Sequence, residues 1–271
     1  MDFKTDIFSL DVPNKTGNLI GARPPSSLDI FFRSKHKELH EQYITARIFM
    51  HETENENGDW DHWFKRKGDA RLQEMMQIKL KSTFYESALI FYNIVVDLSW
   101  TLSYVCCEFA CSVDGERVPI DGMKPIEESY RVLRSAERNV TSPIAEENPF
   151  IYLKKSAPDY ARVVDYIVDF WNEFSVSPIR QVYNYLKHKG KPVYKEFLTF
   201  NEPRFFGFYF QTSNGEVKQL SSDIRDVQME LSLSDGIKCL RDFDDELLFP
   251  YIKNLLEIIE DVIKPSPYLI T

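Results

Sequence analysis

Glycine is scarce in this sequence, which holds 10 glycines in 271 residues. Nucleotide folds that rest on glycine-rich loops need several glycines within a few positions of each other. The sequence has no P-loop, no dinucleotide-binding glycine fingerprint and no Gly-x-Ser-x-Gly elbow. Kinase, dehydrogenase and serine-hydrolase functions therefore have no support, and the scarcity also argues against a turn-rich all-β fold.

Basic residues are also outnumbered, with 33 lysines and arginines against 42 acidic residues and a net charge of −9. A protein that binds nucleic acid through its overall charge is normally basic. Any contact with nucleic acid must therefore use a local positive patch. An acidic surface also argues against binding to a membrane surface.

Cysteine is rare and is not arranged for metal binding. The four cysteines are Cys106, Cys107, Cys111 and Cys239. They form no Cys-x-x-Cys pair and no Cys/His spacing typical of zinc sites, and we interpret them as reduced thiols that pack as small apolar residues. The N-terminus lacks the basic and apolar regions of a signal peptide, and we expect a cytoplasmic protein without a metal.

The longest apolar run spans residues 88–110 and is interrupted by Asn93, Asp97 and Glu108. Its length alone would suffice for a membrane span. The same pattern begins earlier, however, in charged amphipathic sequence near residue 71. We therefore predict a buried central helix and no association with a membrane.

Apolar residues at helical spacing predict a mainly α protein, an up-and-down helical bundle with a long central helix and a small β-hairpin insertion. We divide the chain into an N-terminal extension with one helix, residues 1–68, and the bundle, residues 69–271. The hairpin is predicted near 204–220, because Ser213-Asn-Gly215 favours a tight turn between β-prone segments. The bundle helices are predicted at 69–112, 125–139, 159–174, 178–189 and 242–264, the last with Pro250 as a kink or restart.

The sequence contains local signals for both ends of the helix predicted at 178–189. Ser177 is a favourable N-cap, and Pro178 stands at the first helical position, where a missing N–H has no consequence. Gly190 can adopt the left-handed conformation that ends a helix, and Pro192 prevents its continuation.

One face of this helix carries the best functional candidates. Arg180, Asn184 and His188 are spaced i, i+4, i+8, so they fall within about 80° of each other, with Lys187 on the same face. Arginine offers a forked donor to phosphate, histidine can move a proton near neutral pH, and asparagine can orient either group. Lys189 and Lys191 add positive charge. The alternative is an ordinary solvated helix face.

The run Arg180-Gln-Val-Tyr-Asn184-Tyr-Leu-Lys187-His188-Lys-Gly190 resembles the HEPN superfamily (higher eukaryote and prokaryote nucleotide-binding domains). It is most similar to the bacterial HEPN-like group with an Asn-x-x-Lys-His signature. The resemblance implies a helical bundle and, in many members, a metal-independent endoribonuclease of toxin–antitoxin or phage-defence systems. Such proteins usually form homodimers in which two motif helices share one site.

The resemblance leaves two functions open. In an endoribonuclease without metal or cofactor, His188 would be the general acid or base, Arg180 would bind the scissile phosphate, and Asn184 would position the substrate. Lys187, Lys189 and Lys191 would bind substrate electrostatically. In a non-catalytic module, the same helix would bind nucleotide, RNA or a partner protein, such as an antitoxin or defence partner. Seven residues separate Arg180 from His188, an interval longer than in catalytic members, and this keeps the second alternative open.

Three other groups of residues have simpler explanations. His36 and His40 are spaced i, i+4 but lack a third metal ligand, which favours a solvated face over zinc. Aromatic residues at 205–210 could stack on bases, but few basic residues surround them, which favours packing. The acidic cluster is explained by the start of the last helix, where carboxylates are favourable. Its members are Asp242, Asp244, Asp245 and Glu246.

Overall fold

A computed structural model shows a mainly helical protein, as the sequence predicts. The described residues are 27–55, 69–106, 109–111, 117–119, 131, 161–200, 205–223 and 228–262. The predicted helix at 125–139 lies outside the described residues, apart from residue 131, which is helical.

Seven α-helices and one π-helix occur in the described ranges. The α-helices are α1 (Ser27–Glu54), α2 (Ala70–Cys106), α3 (Ala161–Val176), α4 (Pro178–His188), α5 (Lys195–Leu198), α6 (Leu233–Asp242) and α7 (Phe249–Val262). The π-helix (Phe243–Leu248) joins α6 to α7. The strands are β1 (Phe109–Cys111), β2 (Arg117–Pro119), β3 (Val193–Tyr194), β4 (Phe205–Gln211), β5 (Val217–Asp223) and β6 (Glu230–Leu231).

Helices α1 and α2 pack against each other in antiparallel orientation. The rings of Tyr43 and Tyr92 lie 6.0 Å apart, and those of Phe49 and Phe84 lie 6.2 Å apart. Later residues of α1 thus meet earlier residues of α2. The buried side chains of α1 follow helical spacing at Leu39, Tyr43, Ala46 and Met50 and belong to the same core as α2. The domain boundary at residue 68 stays a prediction.

Helix α2 is the central helix of the described structure, and it ends earlier than the sequence predicts. It contacts α1, α4, α6 and α7, so most side chains from residue 88 to residue 102 are buried. The helix stops at residue 106, and β1 pairs in antiparallel register with β2. The prediction of a helix to residue 112 is therefore wrong. Apolar periodicity does not distinguish a buried helix end from a buried strand. No helix in the described ranges is long and apolar enough to span a membrane.

The C-terminal helical segment begins at residue 233 rather than at 242. Ser232 caps it by accepting a hydrogen bond from the Asp235 N–H. The segment then widens into the π-helix immediately before Pro250. Proline has no N–H, and its ring clashes with the carbonyl four residues earlier in an α-helix. A wide turn before Pro250 relieves that clash, so the chain continues as a helix without a new start.

Three two-stranded pairings complete the described fold. Strands β4 and β5 pair in antiparallel register, with Gln211 opposite Val217. Strand β3 pairs in parallel with β6, with Val193 opposite Glu230. This parallel pair fixes the chain that follows α4 against the chain that precedes α6.

Gly236 allows α6 to approach α2 closely, and we expect Gly236→Ala to destabilise the protein. An added Cβ would lie 3.1 Å from Tyr85 Cζ and 3.3 Å from Leu231 Cδ2. Tyr85 is fully buried, so we expect a shift of its ring to disturb the packing around it. We expect a loss of about 1–3 kcal/mol in the free energy of unfolding, measured by urea denaturation. Alanine is the better helix former by about 1 kcal/mol, so a stabilised variant would contradict the close contact. Lys238→Ala, at an exposed site on the same helix, is the control.

Candidate functional site

Helix α4 begins at Pro178, as the sequence predicts, and ends at His188, one residue before the predicted end. Ser177 Oγ accepts a hydrogen bond of 3.2 Å from the Arg180 N–H, and Pro178 is the first helical residue. At the other end, the N–H groups of Lys189 and Gly190 both donate to the Tyr185 carbonyl. Gly190 has a φ of +110°, a conformation that favours glycine. The helix is therefore anchored at both ends, and its side chains have defined positions.

The inward face of α4 fixes its orientation on the core. Ile179 and Val182 are buried, and Leu186 is partly buried against the same core. These side chains turn the opposite surface of the helix, which carries Asn184 and Lys187, towards solvent.

Arg180 lies at the boundary between these two faces and is half-buried. One guanidinium nitrogen, Nη1, donates a hydrogen bond of 2.9 Å to Asn93 Oδ1 of α2. The guanidinium carbon lies 5.6, 5.4 and 5.1 Å from the ring centres of Trp171, Phe174 and Tyr183. Burial lowers the pKa of Arg180, and the Asp97 carboxylate acts in the opposite direction. Because arginine starts from a very high pKa, the guanidinium stays charged at neutral pH.

Asn93 is a site residue that the sequence did not indicate as functional. It is completely buried, and its amide nitrogen donates 2.8 Å to the Leu89 carbonyl. This bond turns Oδ1 towards Arg180. A buried polar residue requires a hydrogen-bond partner, and this requirement is the only sign in the sequence that Asn93 contacts another segment. The partner lies 87 positions further along the chain, beyond the reach of a local pattern.

The second half of the predicted face is open to solvent. Asn184, Lys187, His188 and Lys189 are all exposed, and Lys187 Nζ lies 5.8 Å from the Tyr183 ring centre. We call Lys187, His188 and Lys189 the basic end of α4. None of these three side chains pairs with a carboxylate in the part of the chain that the structure describes.

Arg180 and His188 are separated along the helix axis. Eight residues at about 1.5 Å each place their backbones about 12 Å apart. The angular alignment expected from the sequence therefore holds for the helix, but the two groups lie two turns apart. In one copy of α4, the Arg180 guanidinium is therefore hydrogen-bonded to α2 at one end of the helix, and the His188 imidazole is exposed at the other end.

Lys191 belongs to a different environment from the basic end of α4. Its Nζ forms an ion pair of 2.6 Å with Glu86 Oε2, and the Tyr194 hydroxyl donates 3.1 Å to Glu86 Oε1. Glu86 is almost fully buried. Lys191 is thus largely neutralised and lines a cleft beside α2.

The acidic cluster is explained differently from the sequence prediction. Residues 242–246 do not start a helix, because they continue one across the end of α6 into the π-helix. The helix-start explanation is therefore wrong. Asp244 is buried, whereas Asp245 and Glu246 are exposed. Of these three carboxylates, Asp244 is therefore the one that lies in the core.

Asp244 is held by three donors from α1 and α2. Tyr43 donates to one carboxylate oxygen, while Arg47 Nε at 2.9 Å and Tyr92 at 2.8 Å donate to the other. Burial raises the pKa of Asp244, while Arg47 and the two hydroxyls act in the opposite direction. Burial also raises the pKa values of Tyr43 and Tyr92. Both hydroxyls therefore stay protonated and serve as donors.

The remaining candidates do not form a site in the described structure. Across the described ranges, no group of three or more histidine, cysteine or acidic side chains could hold a metal, and burial and His40 lower the pKa of His36. The aromatic residues 205–210 lie on β4, but their side-chain surroundings fall outside the described part of the chain.

The chain was compared with profiles of known protein families, with curated proteins and with solved structures. None of the three comparisons finds a match. The resemblance of the α4 sequence to the HEPN superfamily therefore stays a prediction.

Proposed function

We propose that this chain is a HEPN-like protein that binds RNA through the outer face of α4, the side of the helix that carries Arg180, Asn184 and the basic end. The observation that carries the proposal is the basic end of α4. Lys187, His188 and Lys189 are exposed and have no carboxylate partner within the described ranges. On a chain with a net charge of −9, this exposed group of basic side chains is a local positive patch of the kind that binds phosphate.

Arg180 supports the same proposal from the other end of the helix. Asn93 and the surrounding rings hold its guanidinium in one place. A fixed guanidinium loses little conformational entropy when it binds a phosphate. Asn184 lies between this anchor and the basic end of α4, exposed on the helix surface. A single strand that follows the helix would meet Arg180, Asn184 and His188 in turn.

The binding test compares two pairs of lysines. Each lost phosphate contact removes about 0.7 from the slope of log K against log salt concentration, so the loss of two contacts removes about 1.4. We therefore expect Lys187→Ala/Lys189→Ala to weaken binding of single-stranded RNA roughly 25-fold at about 0.1 M salt, compared with about 1 M salt, where the phosphate contacts contribute little. Fluorescence anisotropy with labelled RNA at several salt concentrations measures both effects. Lys238→Ala/Lys253→Ala, at two other exposed positions, is the matched control.

Two outcomes of this titration would contradict the RNA proposal. In one, the wild-type protein does not bind the labelled strand. In the other, both lysine pairs weaken binding equally, so that the effect is one of overall charge. If mononucleotide displaces the RNA completely at the same residues, the ligand is a nucleotide rather than a strand.

A second candidate function is metal-independent RNA cleavage, and the exposed imidazole of His188 favours it. Cleavage requires a proton acceptor at the 2′-hydroxyl and a cation on the phosphate. The backbones of His188 and Arg180 lie about 12 Å apart along one helix, and Asn93 holds the Arg180 guanidinium; we therefore propose that the acting histidine and arginine come from two copies of α4 in a homodimer. Asn184 would then position the substrate between them.

The same RNA, incubated with the protein in chelator, separates binding from cleavage. His188→Ala should abolish cleavage, and should weaken binding less than Lys187→Ala/Lys189→Ala does, if the imidazole moves the proton. His40→Ala, on a different helix, is the control. Intact RNA with the wild-type dimer would leave binding as the function.

The resemblance also sets the expected cellular context. We propose a cytoplasmic homodimer that acts in phage defence or as a toxin, with an antitoxin or other defence protein as partner. Four cysteines without disulfide or zinc spacing fit a reducing compartment, and Cys239 is a free thiol.

A further inference from the structure

A cleft of about 420 Å³ lies beside α2, beyond the basic end of α4. Its walls come from the first half of α2 and from the segment 191–197, with Gln228 at one side. The parallel pairing of β3 with β6 holds that segment in place. The volume falls in the range of small-molecule sites, about 300–1,000 Å³.

The floor of the cleft is the Glu86 carboxylate, and both of its oxygens already accept hydrogen bonds. Glu86 is almost fully buried, and its two oxygens accept hydrogen bonds from Lys191 and Tyr194. Burial and the Glu86 carboxylate raise the pKa of Tyr194, so its hydroxyl remains a donor. Both oxygens are therefore occupied, and the floor does not attract a cation.

The rim of the cleft carries an excess positive charge. Lys79 is exposed, and it forms no ion pair with a carboxylate among the residues placed by the structure. Its Nζ lies 5.9 Å from the ring centre of Phe197. Because Glu86 neutralises Lys191, the lining keeps one net positive charge, at Lys79.

The walls offer apolar and aromatic contacts next to this charge. Met75, Met76 and Phe197 line the cleft together with Lys79 and Lys191. Methionine side chains adapt to flat rings and make favourable sulfur–aromatic contacts. A ring placed between the methionines and Phe197 would bring a charged substituent to the two ammonium groups.

We propose that this cleft binds a small aromatic anion, with one ring between Phe197 and the methionines and its acidic group at Lys79 and Lys191. The shared chemistry is an aromatic body with a single anionic substituent, either a carboxylate or a phosphate ester. The site is separate from the outer face of α4 and does not rest on the RNA proposal.

Calorimetric titration of the full chain tests this site with two probes. The carboxylate probe is 2-naphthoate and the phosphate probe is adenosine monophosphate, with 2-naphthamide and adenosine as their uncharged counterparts. We expect one of the two anions to bind at about 1 mM or below and to bind about five-fold better than its uncharged counterpart. Which anion binds distinguishes a carboxylate ligand from a phosphate ligand.

Three variants connect the binding to the cleft. Lys79→Gln should weaken the anion about five-fold and leave its uncharged counterpart unchanged, whereas Phe197→Leu should weaken both. Lys238→Gln, far along the chain on exposed α6 surface, should have no effect. The RNA-binding variant Lys187→Ala/Lys189→Ala should keep full affinity for the probe.

Several results would overturn the cleft proposal. These are no binding of either anion, equal binding of the charged and uncharged partners, or unchanged affinity after Lys79→Gln. Loss of probe binding in Lys187→Ala/Lys189→Ala would place the ligand on α4 instead. That result would leave the RNA proposal intact, so the two proposals can fail separately.

Discussion

Replacing Asp244 by asparagine is expected to lower the free energy of unfolding by about 3–5 kcal/mol, because it removes the closest carboxylate from a buried charge and leaves only Asp245, 4.0 Å away. Arg47 is fully buried, and its Nε donates to the Asp244 carboxylate. Burial lowers the pKa of Arg47, but Asp244, Tyr43 and Tyr92 together outweigh this and raise the pKa overall. Arginine cannot lose its proton in a protein, so the guanidinium in Asp244→Asn stays charged at every accessible pH. Asparagine does not ionise, so the variant also loses the pH dependence that the Asp244 carboxyl gives the wild type.

The reverse truncation, Arg47→Met, should behave differently. Burial already raises the pKa of Asp244, and removal of the guanidinium removes the strongest opposing influence. A carboxyl whose folded pKa is raised binds its proton more tightly in the folded state than in the unfolded state. Stability then rises as the pH falls through the folded pKa, and levels off below the unfolded value near 4. Arg47→Met should lose less stability at pH 5 than at pH 8.

Urea denaturation of both variants at pH 5 and pH 8 makes the comparison. Glu246→Gln, at an exposed position of the same π-helix, is the control for removal of an acidic charge and should change little. The double variant Arg47→Met/Asp244→Leu should recover much of the loss, because a well-packed apolar pair often replaces a buried ion pair without penalty. A single variant as stable as the wild type at pH 8 would refute the buried ion pair.

Phe174→Ala should also destabilise the protein strongly, by about 3–5 kcal/mol. Its ring is fully buried and stacks with Phe170 at 5.5 Å and with Phe243 at 5.6 Å. Truncation would leave a cavity where α3 meets the π-helix. At about 2–4 °C per kcal/mol for a domain of this size, we expect the melting temperature to fall by roughly 10 °C.

The same truncation also tests the anchor of the candidate site. The guanidinium of Arg180 lies 5.4 Å from the Phe174 ring, so Phe174→Ala removes one wall around it. RNA binding measured well below the lowered melting temperature should weaken more than in Phe174→Leu, which keeps most of the packing. Val176→Ala, at a site that is 70% exposed, is the control. Stability within 1 kcal/mol of the wild type would show that the ring is not packed as described.

The ends of α4 could be predicted because their determinants are local. Ser177, Pro178 and Gly190 act within a few residues of themselves, through one hydrogen bond, one fixed φ and one left-handed φ. The mainly α character follows from helical periodicity in the same way. These features require no knowledge of what packs against the helix.

The surroundings of Arg180 could not be predicted, because they depend on distant segments. Helical spacing fixes the angle at which Arg180 leaves α4, but not the neighbour it meets. Asn93 lies in α2, and the sequence gives no sign of which turn of α2 faces α4. Asp244 shows the same limit, because its donors Tyr43 and Arg47 stand about 200 positions earlier.

The π-helix between residues 243 and 248 has a consequence for how this sequence should be aligned with others. A π-turn holds one more residue than an α-turn, because its hydrogen bonds reach five residues rather than four. Removal of one residue within 243–248 would therefore leave the buried stripes of α6 and α7 in phase. A deletion elsewhere between 233 and 262 would rotate everything downstream by about 100°. A single-residue gap in this segment is thus compatible with the same fold in a sequence that has another residue in place of Pro250, because the wide turn is then not needed to avoid the proline clash.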